Sequence, residues 1–449
     1  MTQHTTQKLG DICRIEKGRT GIASAAPGEY PLVVTAEERK TCSTYQFDCE
    51  AVCIPLVSSS GHGKKSLKNV HYQSGKFALG SILCAVIPNN PQKVNARYLH
   101  QYLQFYKDTL LVPLMKGAAN VSLSMRDIAN VEVPLPDFKA QTELAELFAA
   151  MQAKQKELNA EFEKQTEYAK LLRQNILQEA IEGKLTAGGR KQNPVVKGNP
   201  DFDAEALFEQ IQKEKEGNAF PCGRTPSRPT PSAGSNAARN ARLENDQPFE
   251  IPDSWKWVRL GEIIEYTDNL DIQKKCKPTD LIKYVDIDSI DNENYKIDSY
   301  KEKTVSELSS RARRILKKGF IIYSTVRPYL CNLAIIENDY KNYIGSTGFN
   351  VFKSIIADTK FVFYFFLTDY VIELYKSMMQ GFNSPSINNS QFENTLFPLP
   401  PLAEQKEIVA KIESLLAKVT ELEEQIQERK KLSGKLMQTV LKNAFAPQK

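Results

Sequence analysis

The sequence lacks the long apolar stretches that mark membrane and secreted proteins. Its longest apolar run begins at Phe361 and is interrupted after seven residues by Thr368 and Asp369, whereas a membrane span needs roughly 18. The first ten residues, MTQHTTQKLG, have no apolar core of the kind found in secretory signals. We therefore expect a soluble cytoplasmic protein without a membrane partner.

Metal-binding patterns are absent as well. None of the eight cysteines belongs to a C-x-x-C pair, and the four histidines form no cluster of ligands. The sequence therefore predicts no metal site and reduced thiols.

Catalytic motifs are also missing. The closest match to an amino-methyltransferase Asn-Pro-Pro-Tyr/Phe motif is Asn199-Pro200-Asp201-Phe202, which lies in a polar region, and no Gly-rich cofactor loop follows a strand elsewhere. The GHGKKS segment from Gly61 lacks the first glycine of a phosphate-binding loop and has Lys65 where Ser or Thr should follow the lysine. No catalytic residue and no cofactor are therefore predicted for this chain.

Size and charge set broad limits. With 449 residues, the chain is expected to form two to four domains, and 41% hydrophobic residues are enough for it to fold in large part. A net charge of +5, from 59 Lys and Arg against 54 Asp and Glu, is compatible with nucleic-acid binding but is also typical of an ordinary solvated surface.

An internal repeat is the main positive signal. The segment PLPDFKAQTEL from Pro134 matches PLPPLAEQKEI from Pro398, and the alignment continues at the same offset without a gap for more than 60 positions. Each half also opens alike, with LGDI from Leu9 and LGEI from Leu260. The chain is therefore a tandem duplication.

The shared tail of each half is predicted to be a long helix. Apolar residues advance by four and three alternately, which is the spacing of a coiled-coil seam. In the first copy, 141–182, such a helix would span about 63 Å. The predicted seam consists of Leu144, Phe148, Met151, Leu158, Phe162, Leu172 and Ile176, and of Ile408, Ile412, Leu415, Val419, Leu422, Ile426, Leu436 and Val440.

Two such helices in one chain favour pairing with each other, because their covalent linkage gives them a high effective concentration. The alternative is that each is an independent oligomerisation zipper.

The segments preceding the two helices diverge almost beyond alignment. Both mix short β-branched or aromatic runs with Gly, Pro and Asn breaks, and each has one helical-looking stretch, from Asn95 and from Thr359. Both are interpreted as α+β domains. Between the halves, a short helix over 203–216 and then a Pro-, Ser- and Gly-rich flexible linker are predicted.

This order of elements resembles the specificity subunits of type I restriction–modification systems. The resemblance rests on PLP-x-x-x-x-Q-x-E at the start of both long helices and on IPDSWKWVRLGEI from Ile251, and it covers nearly the whole chain. It divides the chain into a first target-recognition domain (1–137), a long helix (138–186), a short helix with a flexible linker (187–250), a second target-recognition domain (251–400) and a second long helix (401–449).

The resemblance implies an α+β fold in which two target-recognition domains are joined by an antiparallel coiled coil in pseudo-twofold relation. It also implies that each domain reads one half of a bipartite site in double-stranded DNA and that the helices set the spacer. The implied partners are two methyltransferase subunits and restriction subunits of a prokaryotic cell, which would supply S-adenosylmethionine, ATP and magnesium chemistry.

Polar clusters in the two domains are candidates for contacting DNA. Lysine and arginine can hold phosphates, while Arg and Asn can read base edges, although each residue could equally be an ordinary surface charge. The candidates are Lys64, Lys65, Lys68 and Asn69 in the first domain, and Arg311, Arg313, Arg314, Lys317, Lys318, Arg327 and Tyr329 in the second.

Three alternatives stay open from the sequence. The chain could serve a methylation-only assembly or a related multisubunit restriction enzyme, could be a coiled-coil interaction protein without a DNA role, or could be an unrecognised nuclease or methyltransferase. A DNA-binding role predicts affinity that weakens steeply as salt rises.

Overall fold

The computed structural model describes residues 5–60, 63–217, 247–338 and 342–445. The chain divides into two compact units: unit 1 comprises residues 1–164 and 426–449, and unit 2 comprises residues 165–425. Each unit therefore contains one of the divergent segments together with parts of both long helices.

The described residues of unit 1 form three sheets. Strands β1 and β10 form an antiparallel pair, the order β2-β9-β6-β7 forms an antiparallel sheet, and the order β4-β3-β8-β5 forms a sheet in which β3 and β8 are parallel. The strands are β1 Thr5–Lys8, β2 Cys13–Lys17, β3 Tyr30–Val33, β4 Lys40–Cys42, β5 Phe47–Asp48, β6 Ala51–Pro55, β7 His71–Gln73, β8 Lys76–Leu79, β9 Leu83–Pro88 and β10 Glu132–Leu135.

Unit 2 repeats this arrangement. Its orders are β11-β22, β12-β21-β18-β19 and β16-β13-β20-β17, with β13 and β20 parallel, and a short hairpin β14-β15 is added. The strands are β11 Lys256–Arg259, β12 Ile264–Tyr266, β13 Leu281–Val285, β14 Ile290–Asp291, β15 Lys296–Ile297, β16 Lys301–Thr304, β17 Ala312–Ile315, β18 Ile321–Ser324, β19 Leu333–Ile335, β20 Tyr343–Ser346, β21 Phe349–Ser354 and β22 Leu396–Leu399. The duplication and the α+β class predicted from the sequence are confirmed.

The helices pack around these sheets. They are α1 Leu9–Ile12, α2 Ala96–Leu110, α3 Met125–Ala129, α4 Phe138–Ile181, α5 Ala187–Gln192, α6 Ala204–Gly217, α7 Leu260–Ile263, α8 Ile272–Lys275, α9 Thr359–Phe365, α10 Asp369–Met378, α11 Asn389–Glu393 and α12 Leu402–Phe445. In the described parts of the chain, no helix is long and apolar enough to cross a membrane.

The single helical stretch expected from Thr359 is two helices instead. Buried Thr368 separates α9 from α10, since its hydroxyl donates to the Phe365 carbonyl at 2.7 Å and accepts the Val371 N–H at 3.5 Å. A threonine in this position ends one helix and caps the next.

The long helices α4 and α12 pair antiparallel within each unit. In unit 1, near the start of α4 and the end of α12, the rings of Phe148 and Phe445 lie 5.7 Å apart. In unit 2, near the end of α4, Ala169 and Ile176 share a buried cluster with Val419 of α12. Each 44-residue helix thus buries its apolar stripe against the other.

The observed seam departs from the predicted one at three positions. Seven predicted residues are buried (Phe148, Phe162, Ile176, Ile408, Ile412, Val419 and Ile426), and five are half-buried (Leu144, Met151, Leu158, Leu415 and Val440). Three predicted residues are exposed: Leu172, Leu422 and Leu436. In each case the next residue in the chain is more buried than the predicted one; these residues are Arg173, Glu423 and Met437. A helix of 3.6 residues per turn drifts about 20° per heptad from a strict 3.5-residue repeat, which moves the seam by one residue.

The glutamine of the repeated motif joins each long helix to its unit. Gln141 is fully buried, accepts the Asn95 N–H at 2.8 Å and donates to the carbonyls of Lys93 and Pro136. Gln405 is equally buried, accepts the Asp358 N–H at 2.7 Å and donates to the Pro400 carbonyl at 2.8 Å. The side-chain amide of each glutamine thus forms hydrogen bonds with backbone groups of two segments, and these groups would otherwise be buried without partners.

The short helix predicted over 203–216 is observed as α6, and it belongs to unit 2. Leu207 and Ile211 of α6 are fully buried in the core of that unit. The carbonyls of Pro200 and Asp201 accept the N–H groups of Leu402 and Ala403 at the start of α12, so the methyltransferase-like tetrapeptide caps a helix. The remainder of the predicted linker, 218–246, lies outside the described residues.

We expect Gln405→Leu to lower the free energy of unfolding of unit 2. The leucine leaves the Asp358 N–H and the Pro400 carbonyl without their partner, at a cost on the order of 1–3 kcal/mol for each group. Thermal or urea unfolding of the full chain measures the change. The matched control is Gln425→Leu on the exposed face of α12, which should change stability by no more than about 0.5 kcal/mol. Equal effects of the two substitutions would contradict the anchoring role of Gln405.

Candidate nucleic-acid interface

The DNA-contact candidates of the two units include two sets at equivalent places in the fold. In unit 1 they lie between β6 and β7, in sheet loop 1 (residues 56–60 and 63–70). In unit 2 they lie between β18 and β19, in sheet loop 2 (residues 325–332). These strand pairs occupy the same two positions in the corresponding sheets. The sequences of the two loops are too different to be aligned, so their equivalence is found only from the pairing of the strands.

A second loop braces each sheet loop. We call these tip loop 1 (residues 116–122) and tip loop 2 (residues 380–386). Ser58 donates its N–H to the Val121 carbonyl at 3.0 Å, and Arg327 donates its N–H to the Pro385 carbonyl at 2.8 Å. Ser58 and Arg327 are therefore structural counterparts.

Serine hydroxyls fold sheet loop 1. The Ser58 hydroxyl donates to the Lys64 carbonyl at 2.5 Å, and the Ser59 hydroxyl accepts the Lys68 N–H at 2.9 Å. Lys64, Lys65 and Lys68 are exposed, so their ammonium groups face solvent on an internally bonded loop. Asn69 is half-buried, and its Nδ2 has no hydrogen-bond partner among the described residues.

The strand that follows sheet loop 1 is held by an arginine. Arg39 donates to Gln73 Oε1 at 3.1 Å and to the Tyr72 carbonyl at 3.2 Å, and it lies 3.2 Å from His71 Nδ1. Burial, followed by the charge of Arg39, lowers the pKa of His71 to about 4, so this imidazole is neutral at pH 7. These groups support the loop rather than face a ligand.

Sheet loop 2 has an unusual backbone. Arg327 and Cys331 adopt left-handed conformations with φ of 48° and 52°, on either side of the 3-10 turn Pro328–Leu330. The exposed Arg327 guanidinium donates to the Asn383 carbonyl of tip loop 2 at 3.2 Å, and Tyr329 is half-buried. Non-glycine residues in this region carry strain and cluster at functional sites.

The basic residues around β17 separate into different environments. Arg311 and Arg313 are exposed, and the Arg311 carbonyl accepts the Thr347 N–H at 2.8 Å. Gly348, the residue after Thr347, accepts the Thr325 N–H at its carbonyl at 2.9 Å. Hydrogen bonds through Thr347 and Gly348 therefore connect β17 to sheet loop 2.

The other three basic residues differ. Arg314 donates to the Phe349 carbonyl and to Asn269 Oδ1, both at 3.0 Å, and burial lowers its pKa. Its guanidinium is therefore engaged within unit 2. Lys317 forms an ion pair with Asp268 at 3.7 Å, and Lys318 is exposed.

Tip loop 2 holds a residue that the sequence did not single out. Phe382 is fully exposed. The available signal in the sequence was that Phe382 replaces Ala118 at the same offset of the repeat.

Within the described residues, no group of three or more His, Cys, Asp or Glu side chains could hold a metal ion.

Comparison with known proteins identifies the family. The profile of the type I restriction modification DNA specificity domain matches residues 2–168 and 252–430, once in each half. The duplicated α+β units thus define a protein built for DNA target recognition. The chain belongs to the type I restriction–modification specificity subunit family.

Individual relatives agree with this assignment. The EcoDI specificity subunit of Escherichia coli is 26% identical over 444 residues, which cover 98% of this chain and 87% of the relative. The HindI specificity subunit of Haemophilus influenzae is 26% identical over 178 residues, covering 39% and 38% of the two chains.

Solved structures share the fold. The HsdS subunit from Thermoanaerobacter tengcongensis aligns with a TM-score of 0.52 and 15% identity, over 98% of this chain and 96% of that one. A chain from a study of complex assembly and conformational transition of the type I R-M system aligns with a TM-score of 0.56 and 15% identity, over 99% and 97%.

We expect Arg327→Ala and Arg314→Ala to act differently. Loss of the exposed Arg327 should weaken DNA binding and reduce the slope of log affinity against log salt by about one. Loss of Arg314 should mainly lower the melting temperature, because the Phe349 carbonyl and the Asn269 side chain lose their partner. Salt-dependent binding and thermal unfolding of each variant separate the two roles. An unchanged salt slope for Arg327→Ala would remove this residue from the interface.

Proposed function

We propose that this specificity subunit reads an asymmetric, bipartite DNA site, with one half-site contacted by each unit. The observation that carries the proposal is the pair of equivalent sheet loops with unlike side chains. Lysines and serines form sheet loop 1, whereas Arg327 and Tyr329 stand in sheet loop 2. The same framework with different contact groups recognises different sequences, since groove-facing side chains specify the bases.

The paired helices act as the ruler between the half-sites. Support comes from the continuity of α4 and α12, each 44 residues long, and from their antiparallel pairing within both units. In proteins with twofold or pseudo-twofold symmetry, the spacing of the recognition elements determines the spacing of the half-sites.

Two methyltransferase subunits dock on these helices, and restriction subunits join that assembly. Exposed large apolar side chains on both helices support docking, because such patches mark interaction surfaces. In unit 1 they are Phe138, Leu147, Leu432 and Leu436; in unit 2 they are Tyr168, Leu171, Leu172 and Leu422. In this proposal the chain itself is non-catalytic, and the partner subunits bind S-adenosylmethionine, ATP and magnesium.

Replacing residues 1–133 with the corresponding segment of another specificity subunit should change one half-site and leave the other intact. Adenine methylation mapped across the genome, with and without this gene, first gives the native site and then the site of the chimaera. The reciprocal control replaces residues 251–397 and should change only the other half-site. A change in both half-sites from one replacement would contradict independent reading, and an unchanged map on deletion of the gene would contradict the specificity role.

Shortening both helices should shorten the spacer. The Ser433 hydroxyl donates to Gln155 Oε1 at 3.1 Å, which gives the register of the two antiparallel helices. In that register 159–165 faces 423–429, so deleting both segments removes one facing heptad from each helix. Seven residues span about 10.5 Å, which corresponds to about three base pairs. Methylation mapping should therefore give the same half-sites with a spacer about three base pairs shorter. Deletion from α4 alone is the control and should impair assembly, while a changed half-site sequence would contradict the ruler role.

A further inference from the structure

Phe382 is a large apolar side chain presented to solvent at the end of tip loop 2. Single exposed apolar residues are common on protein surfaces and need no explanation by themselves. The features that single out Phe382 are the frame that holds it and the cation beside it.

The frame is closed by backbone hydrogen bonds. Gln380 and Ser386 exchange two N–H to carbonyl bonds, both 3.0 Å long, and Ile387 donates to the Thr325 carbonyl at 3.0 Å. Gly381, with φ of 105°, makes the turn. Phe382 is thus held out on a short loop tied to the sheet, and little ordering is needed when it meets a partner.

The neighbouring cation is Arg327. Its N–H bonds the Pro385 carbonyl, and its guanidinium bonds the carbonyl of Asn383, the residue next to Phe382. The left-handed backbone of Arg327 is maintained by these contacts with tip loop 2. An apolar ring beside an exposed guanidinium is complementary to DNA, because the ring can enter the base stack while the cation holds a phosphate.

Unit 1 provides an internal comparison. Tip loop 1 has the same closure, since Lys116 and Ser122 exchange two 2.8 Å backbone bonds, and Gly117 makes the turn with φ of 122°. Its tip is Ala118, and the counterpart of Arg327 is Ser58. The frame is duplicated, but unit 1 has Ala118 in place of the ring and Ser58 in place of the arginine.

We propose that Phe382 is a wedge that inserts into the base stack of the half-site contacted by unit 2, while Arg327 neutralises an adjacent phosphate. The DNA is then deformed at one step of that half-site, and the half-site contacted by unit 1 stays undistorted by its tip loop. This inference rests on the proposed reading of DNA by both units and adds sequence preference through deformability.

The test uses the full chain in complex with its methyltransferase subunits and duplexes that carry the mapped site. 2-Aminopurine, which pairs with thymine, replaces one adenine at a time in either strand. The methylated adenines are left unchanged, because base flipping by the methyltransferase unstacks them independently. The wild-type complex should raise the fluorescence at one step of the unit 2 half-site. Phe382→Ala should abolish that rise and weaken binding about tenfold, whereas Phe382→Trp should preserve both.

The control is Leu281→Ala. Leu281 is an exposed apolar residue of unit 2 at the start of β13. Because β13 runs parallel to β20, Leu281 lies at the end of the sheet away from Ser346 and sheet loop 2. This variant should bind and fluoresce like the wild type.

The outcomes distinguish the two proposals. If the wild-type complex binds the site specifically but Phe382→Ala keeps both the fluorescence and the affinity, the wedge is overturned and the reading of DNA stands. If the wild-type complex shows no specific binding, the proposed function itself fails. Melting temperatures of all variants confirm that exposed positions have been changed without unfolding the protein.

Discussion

The architecture depends on a buried glutamine at the start of each long helix. Gln141 and Gln405 each connect the first turn of a 44-residue helix to the N-terminal cap residue of another helix in the same unit, Asn95 or Asp358. A buried amide has strict partners, because each unpaired polar group costs free energy. These hydrogen bonds therefore fix the direction of each helix relative to the other elements of its own unit. The apolar seam then joins two helices whose directions are already fixed.

The repeat made much of this fold predictable. Periodicity located both long helices to within a few residues, and the shared register indicated that they pair. A strict heptad pattern still misplaced Leu172, Leu422 and Leu436, since real helices drift from a 3.5-residue repeat. The polar composition around α6 likewise concealed Leu207 and Ile211, whose burial requires a partner surface that is distant in sequence.

The candidate interface was harder to read from sequence. Charge alone placed Arg314 with Arg311 and Arg313, but the fold turns Arg314 towards the Phe349 carbonyl and Asn269. The equivalence of Ser58 and Arg327 depends on strand pairing, because nothing in the local sequences aligns them. Side-chain identity gives the chemistry available to a site, whereas long-range pairing decides which side chains share a surface.

The division of unit 1 between two distant chain segments has a consequence for biosynthesis. Tyr98, Tyr102, Phe105 and Tyr106 pack around Phe445, which is translated more than 300 residues later. While the ribosome is still making unit 2, this aromatic socket is open on the nascent chain. The first unit to emerge is thus the last to be completed, and its exposed rings are a target for chaperones until the end of α12 arrives.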